Sequence, residues 1–97
     1  MLKIKLLGLV GAFAENKDIA RDIRRQHLVP ALKQGQKIVL DFSGIDSATQ
    51  SFIHVLISDL IRVHGIDILD TVSFKACNET IKKIINIVIN YMQESQG

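Results

Sequence analysis

The stretch KIVLDFSGIDSATQSF, residues 37–52, decides the fold, because in it a buried strand runs through a turn into a helix. Its continuous apolar run, Ile38–Leu40, predicts a strand buried on both faces, as in a parallel sheet. Asp41 stands at the end of this strand, and Gly44 predicts a tight turn behind it. The stretch therefore predicts an α/β protein.

Hydroxyl side chains cluster where the following helix begins. Ser47 and Gln50 fit the capping box S-x-x-Q, in which each side chain bonds the backbone N–H of the other residue. Thr49 is an alternative cap, about half a turn later. Capping explains either Ser47 or Thr49, but it does not require Ser51. Ser51 is therefore the hydroxyl of this cluster that needs another explanation.

Apolar periodicity predicts two further strands and two further helices. Lys3 and Lys5 alternate with apolar residues, which is the pattern of a half-buried strand. Short connections and the right-handed crossover rule then assemble a small, mainly parallel open sheet with helices packed on it, in the order β-α-β-α-β-α. The chain forms one domain, residues 1–97. The predicted elements are strand 2–6, a helix from the Asn16 cap to Leu32 with a kink or break at Pro30, strand 37–42, helix Thr49–His64 with Gly65 as its stop, strand Thr71–Ala76, and a helix over residues 81–92 capped by Asn78.

The predicted helix Thr49–His64 is amphipathic. An apolar stripe from Phe52 to Ile61 faces the core, and polar side chains fall on the opposite, wetter face. These polar residues are Ser51, His54, Ser58 and Arg62.

The composition is that of an ordinary globular domain: 47% of the 97 residues are hydrophobic and 23% are charged. Twelve basic residues against ten acidic ones give a net charge of +2, which is too balanced to indicate nucleic-acid binding. No apolar run approaches the ~20 residues of a membrane span. The single cysteine, Cys77, excludes an internal disulfide and indicates a reducing, cytoplasmic setting. The three histidines lack ligand spacing, so neither a metal site nor a cofactor is expected.

Parallel strands bring their carboxyl ends to one edge of the sheet, and open α/β sheets bind their ligands there. The loops Gly8–Gly11, Asp41–Thr49 and Cys77–Asn78 meet at this edge in the predicted topology. We therefore expect a partner-binding edge at this place. Its predicted residues are Asp41, Ser43, Gly44, Asp46, Ser47, Thr49 and His54.

A small nucleotide-binding domain is one alternative function. The first strand runs into the Gly8–Gly11 loop, and Asp41 stands where a ribose-binding acid would lie. The fingerprint G-x-G-x-x-G is incomplete, however, because the second glycine is missing from the Gly8–Gly11 spacing.

Serine hydrolase activity is a second alternative. Ser51 and His54 lie three residues apart on one predicted helix, so their side chains could meet. A catalytic pair also needs a group that orients the base and an oxyanion hole. The sequence offers no G-x-S-x-G elbow.

The segment VLDFSGIDSATQSF, residues 39–52, resembles STAS domains, the sulphate-transporter and anti-sigma-antagonist fold. In that fold a buried strand ends in an acid-x-serine-glycine turn and leads to a D-S-S-G helix start. The D-F-x-G-I turn, the S-F pair at the helix start and the A-x-x-I-R helix, here Ala20–Arg24, are similar to a bacterial STAS-like family of uncharacterised function. The resemblance covers most of the chain.

The resemblance implies a role for Ser51. When the two segments are laid without gaps from Asp41, the second serine of D-S-S-G falls on Ser51. In anti-sigma-factor antagonists this serine is phosphorylated by a partner ATPase kinase of the GHKL type. The resemblance thus implies a non-catalytic regulatory module that binds a protein partner, with Ser51 as the candidate phosphate acceptor. The other motif positions differ, since Thr49, Gln50 and Phe52 stand in place of Asp, the first Ser and Gly.

The last predicted helix carries more apolar residues than a one-sided core needs. Ile87 and Ile89 lie beyond its core stripe. They either pack under a loop or form a contact surface, through which the chain would form a homodimer.

Overall fold

The computed structural model describes residues 1–96 as a small parallel sheet with a layer of helices. A five-residue π-helical segment, Arg24–Leu28, joins the second helix to the third, and a 3₁₀ helix, Ile66–Asp70, precedes the last strand. The helices and strands in chain order are β1 (Leu2–Lys5), α1 (Leu7–Val10), β2 (Phe13–Ala14), α2 (Lys17–Ile23), α3 (Val29–Lys33), β3 (Ile38–Asp41), β4 (Ser47–Ala48), α4 (Gln50–His64), β5 (Val72–Lys75) and α5 (Glu79–Gln96).

The central sheet is parallel and has the strand order β1–β3–β5. β3 pairs with both neighbours in register, so that Asp41 lies between Lys5 and Lys75. The predicted fold class, an α/β chain with a small parallel open sheet, is therefore confirmed. A separate parallel pair, β2 with β4, is absent from the prediction because two-residue strands are too short to show a periodic pattern.

The sheet is covered on one face. Side chains alternate along each strand, and the register keeps each alternate set on the same face across the sheet. The buried set is Ile4, Ile38, Leu40 and Val72. The exposed set is Lys3, Lys5, Ser73 and Lys75. Val39 belongs to the second set and is half-buried. The expectation that the run Ile38–Leu40 is buried on both faces is therefore wrong, because the neighbouring strands place lysines on the Val39 face.

Helix α4 packs against both α2 and α5. Its buried residues include the predicted apolar stripe, from Phe52 to Ile61. Ser58 is buried as well, at 4% exposure, so its expected position on a wet face is wrong. Because helices lie on both sides of α4, its buried arc is wider than its apolar stripe. Ser51 and Arg62 are exposed and His54 is half-buried.

Pro30 does not break the first long helix, which begins at the predicted Asn16 cap. A proline lacks the N–H group and clashes with the carbonyl four residues back in a regular α-helix. The π-helical segment Arg24–Leu28 widens the helix just before Pro30, and the N–H of Val29 donates to the carbonyl of Arg24, five residues back. The break expected at Pro30 is therefore wrong, because a π segment carries the helix through this position.

Thr49, rather than Ser47, caps α4. The Thr49 Oγ1 accepts a hydrogen bond from the N–H of Phe52 at 3.0 Å. Ser47 lies in β4 and pairs with Phe13, so its backbone is extended. The predicted capping box of Ser47 and Gln50 is therefore wrong, and the alternative cap at Thr49 is confirmed.

The predicted stop at Gly65 and the predicted cap at Asn78 are confirmed, whereas α5 extends to Gln96 rather than ending at residue 92. α4 ends before Gly65, whose φ of 81° lies in the left-handed region that glycine adopts most easily. The Asn78 Oδ1 caps α5 by accepting a hydrogen bond from the N–H of Ile81 at 2.9 Å. Among residues 1–96, the structure contains no helix with the length and apolar character needed to span a membrane.

The assignment of the cap can be tested by removing one hydroxyl at a time. Thr49→Ala leaves the N–H of Phe52 without its acceptor, so we expect the free energy of unfolding to fall by about 1 kcal/mol. Ser47→Ala, the matched control two residues earlier, should change it by less than about 0.5 kcal/mol. Urea denaturation measures both values, and an equal loss in the two variants would contradict the assignment.

Candidate partner-binding site

Segments at the carboxyl edge of the sheet are bonded to one another, and the first of them is Ala12–Ala14, directly after the expected loop Gly8–Gly11. The N–H of Asp46 donates to the Ala12 carbonyl at 2.8 Å, and the N–H of Thr49 donates to the Ala14 carbonyl at 2.9 Å. From the third segment, the side-chain amide of Asn78 donates to the Asp46 carbonyl at 2.7 Å. The three segments therefore form one continuous edge.

Gly44 makes the turn behind β3. Its φ of 81° lies in the left-handed region, and a Cβ at this position would lie 2.7 Å from the Cδ2 of Leu7. The absence of a side chain at Gly44 thus allows α1 to pack closely on the turn.

Asp41 is bonded inside its own turn. Its Oδ1 accepts hydrogen bonds from the Ser43 N–H at 2.9 Å and the Ser43 hydroxyl at 2.6 Å, and its Oδ2 lies 3.7 Å from the Nζ of Lys3. The hydrogen bonds from the Ser43 side chain and backbone hold the pKa of Asp41 below its ordinary value of 3.8; burial opposes this shift, and Lys3 and Lys75 add to it. The carboxylate of Asp41 therefore stays charged and holds the turn closed.

The predicted edge residues divide between two cavities. Asp41 and Ser43 line a cavity of about 530 Å³, together with lysines of β1 and β5. Ser51 and His54 line a different cavity, of about 340 Å³. Gly44, Asp46, Ser47 and Thr49 lie on the segment that connects β3 to α4. The one site expected from the sequence is thus two surfaces.

Three helices form the walls of the Ser51 cavity. Ser51 is exposed on the first turn of α4, and Lys17 at the start of α2 and Tyr91 on α5 line the cavity with it. The rings of His54 and Tyr91 meet edge to face, with centroids 6.0 Å apart and 68° between the planes. The other lining residues are Gln50, Val55 and Val88. The sequence does not predict that Lys17 and Tyr91 belong to this cavity, because only the packing of α2 and α5 on α4 brings them to Ser51.

The backbone around Ser51 suits a negative charge. The first N–H groups of a helix have no acceptor within the helix. In α4 the Thr49 side chain accepts a hydrogen bond from one of these groups, the N–H of Phe52. The N–H groups of Gln50 and Ser51 remain without an acceptor inside α4 and lie at the positive end of the helix dipole. Lys17 adds a positive side chain to the same cavity. An anionic group on Ser51 would therefore be stabilised.

Ile87 and Ile89 do not form one surface. They lie two residues apart on α5 and are therefore separated by about 200° around the helix. Ile87 is 48% exposed. Tyr91, one helical turn later, is 59% exposed. Ile89 is half-buried and lines another cavity with Phe74. Ile87 and Tyr91 form an exposed apolar stripe on α5, and Tyr91 also lines the Ser51 cavity.

The geometry adds no support to either alternative function. Gly8 lies inside the one-turn helix α1, and the carboxylate of Asp41 is already bonded to Ser43. The ring of His54 meets Tyr91 edge to face, and within residues 1–96 no carboxylate forms a hydrogen bond or ion pair with His54. In the same part of the chain, no group of three His, Cys, Asp or Glu side chains is placed to hold a metal ion.

The lowered pKa of Asp41 should make stability depend on pH in the acidic range. Because the pKa is depressed in the folded state, the ionised carboxylate stabilises the fold above pH 3.8, and this contribution is lost as the pH falls below 3.8 through the folded value. We expect the melting temperature to fall over this range and expect Asp41→Asn to flatten that part of its pH profile.

Two serine variants test whether the hydrogen bonds to Asp41 cause this pH dependence. Ser43→Ala removes the strongest donor to Asp41 and brings its folded pKa closer to 3.8, so the loss of stability below pH 3.8 should be smaller and should end at a higher pH. Ser73→Ala, an exposed serine on β5, should leave the profile unchanged. An acidic profile that is the same with and without the Asp41 carboxylate would show that another group governs it.

Comparison with known proteins gives one match. A family model described as a STAS-like domain of unknown function (DUF4325) matches residues 20–82. The matched region runs from α2 into the first turn of α5 and contains the turn at Gly44, the Thr49 cap and Ser51. No curated protein and no solved structure matches the chain.

Proposed function

Since the chain belongs to the family of STAS-like domains of unknown function, we propose that it is a STAS-type regulatory module that binds a protein partner and catalyses no reaction itself. One observation supports this proposal most. The serine that aligns with the regulatory serine of STAS domains, Ser51, is exposed at the start of α4 and opens onto a cavity formed by three helices. The single cysteine, Cys77, is half-buried, and a reducing, cytoplasmic setting remains our prediction.

The surface around Ser51 has the composition of a protein interface. We call the residues Lys17, Ser51, His54, Ile87 and Tyr91 the Ser51 surface. Tyr91 is 59% exposed and Ile87 is 48% exposed, so an aromatic and an aliphatic side chain are free to enter a partner. Tyrosine is enriched at the energetic centres of interfaces, where polar groups surround it. The polar groups here come from Lys17, Ser51 and His54.

We propose that phosphorylation of Ser51 regulates this interaction. In the anti-sigma-factor antagonists that the chain resembles, a GHKL-type ATPase kinase phosphorylates the corresponding serine. A phosphate adds nearly two negative charges, and it would outweigh the single positive charge of Lys17 on the Ser51 surface. The helix start accepts this charge without unfolding, so the fold would persist while the partner surface changed sign.

Phe52 does not obstruct a kinase that approaches Ser51. It stands where the STAS motif has glycine, and a bulky side chain there could cover the acceptor hydroxyl. In the structure the Phe52 side chain is fully buried, with 0% exposure. The Phe52 side chain, which replaces the glycine of the family motif, therefore packs in the core and leaves the Ser51 hydroxyl accessible.

A kinase assay tests the phosphorylation directly. We expect a GHKL-type ATPase from the same genome, supplied with Mg-ATP, to place one phosphate on the chain, located at Ser51 by mass spectrometry. Ser51→Ala should abolish the incorporation, whereas Ser73→Ala, another exposed serine, should incorporate phosphate like the wild type. Incorporation that persists in Ser51→Ala would contradict the assignment.

A binding measurement tests the regulation apart from the kinase. Ser51→Glu places a negative charge on the surface and should weaken binding of the same ATPase by about tenfold. Ser51→Ala leaves the charge of the surface unchanged and should bind within about twofold of the wild type. If Ser51 stays unmodified in the cell and Ser51→Glu binds unchanged, the proposed switch does not operate.

The exposed stripe of α5 also supports the expectation of self-association, through Ile87 rather than through Ile89. Ile87→Lys puts a charge on this stripe and should convert a dimer to a monomer in light scattering coupled to gel filtration. Asn90→Lys, an exposed control on the same helix, should leave the mass unchanged. A wild-type chain that is monomeric at every concentration would contradict self-association.

A further inference from the structure

The uncovered face of the sheet is separate from the Ser51 surface. The alternate residues of β1, β3 and β5 that do not face the helices form this open face. Its members are Lys3, Lys5, Val39, Asp41, Ser73 and Lys75. Lys3, Lys5, Ser73 and Lys75 are exposed, and Leu7, the first residue of α1, is 43% exposed. Parallel sheets usually have both faces covered, so an open face of this kind needs a physical explanation.

The open face carries the net charge of the chain. Its three lysines and one carboxylate sum to +2, and the other nine basic and nine acidic residues cancel, which leaves the chain at its formal net charge of +2. Asp41 is 5% exposed; its Oδ1 is bonded to Ser43, and its Oδ2 lies 3.7 Å from the Nζ of Lys3. Lys5 and Lys75 are exposed and form no salt bridge within the described residues 1–96, so these two lysines are available to an incoming anion.

The register fixes the spacing of the lysines. Lys5 and Lys75 flank Asp41 in one row across the sheet, two strand spacings or about 10 Å apart. Lys3 lies two residues before Lys5 on β1, about 6.6 Å away. Alternate residues of an extended chain are also about 6.6 Å apart. Carboxylates at alternate positions of an extended segment would therefore meet Lys3 and Lys5.

We propose that the open face binds an acidic segment of a partner protein, in which two or three carboxylates lie about 6–10 Å apart. A cavity of about 530 Å³ at the carboxyl end of this face offers three lysines and the side chain of Leu7, which gives the segment an apolar contact as well. Charge complementarity selects the partner and speeds its encounter, and the shallow face leaves the affinity modest.

The dimensions favour a protein segment over nucleic acid. Three strands of four residues each make a patch of roughly 10 by 13 Å, with three lysines. A nucleic-acid site typically contacts about 6–10 phosphates, more than this patch can meet. The Ser51 surface lies on the helical layer, so binding at the open face does not depend on the state of Ser51.

A peptide titration tests the proposal. The probe is a twelve-residue peptide of alternating Glu and Ser, and its neutral counterpart has Gln in place of Glu. In NMR spectra of the labelled chain at about 20 mM salt, the Glu peptide should shift the amides of the three strands, and about 300 mM salt should largely remove the effect because the Debye length shortens. The Gln peptide should shift none of them.

Charge-matched variants show where the peptide binds. The open-face variant combines Lys3→Gln, Lys5→Gln and Lys75→Gln. It should bind the Glu peptide about tenfold more weakly than the wild type. The control variant combines Lys33→Gln, Lys82→Gln and Lys83→Gln, which change the net charge equally at positions away from this face. Its affinity for the Glu peptide should stay within about twofold of the wild type. Because Lys3 also contacts Asp41, the double variant Lys5→Gln, Lys75→Gln repeats the test with that ion pair intact.

Four outcomes would overturn the proposal. The control variant could lose as much affinity for the peptide as the open-face variant does, which would mean that net charge alone attracts the peptide. The peptide could shift amides of α4 and α5 and leave the strands unchanged. Inorganic phosphate could bind the face as tightly as the peptide, or a DNA or RNA oligomer of equal charge could bind it more tightly. Each result would assign the face to something other than an acidic protein segment.

Discussion

The pairing of β3 with both of its neighbours is the constraint on which the rest of this structure depends. A parallel strand has side chains of period two, so a shift of one residue would exchange the two faces of the sheet. In the observed register Ile38 and Leu40 are fully buried beneath the helices and Asp41 lies at the other face, between Lys5 and Lys75. One register therefore determines both the core and the charged face.

The same pairing positions the loops in which the two candidate surfaces begin. β3 ends at Asp41, whose carboxylate closes the turn through Ser43, and Gly44 lets α1 pack against that turn. The chain then pairs briefly with β2 and enters α4 at the Thr49 cap. Ser51 follows on the first turn of α4. The regulatory candidate is thus held by a short series of hydrogen bonds that starts at the end of the central strand.

Much of this could be predicted from the sequence, because strong local patterns carry it. The alternation around Lys3 and Lys5, the run Ile38–Leu40 and the glycine stop at Gly65 predict elements that the structure contains. The errors have one cause, which is that neighbours in space decide burial. Ser58 is buried because α2 and α5 both pack on α4, and Val39 is half-buried because the adjacent strands carry lysines. Neither fact has a signal in the local sequence.

The candidate site shows the same limit. The alignment of one segment predicts Ser51, whereas Lys17 and Tyr91 join it from helices at opposite ends of the chain. Asp41 and Ser43 line a cavity on the open face of the sheet, whereas Ser51 and His54 line a separate cavity on the helical layer. The fold keeps the two apart because the sheet lies between them.

Hydrogen–deuterium exchange of the chain, free and with a GHKL-type ATPase, tests most directly the proposal that such an ATPase binds the start of α4. We predict added protection in peptides covering residues 49–55 and in α5 around residues 87–91, with no change in α3. Protection confined to other elements, or an ATPase that fails to protect any part of the chain, would contradict it.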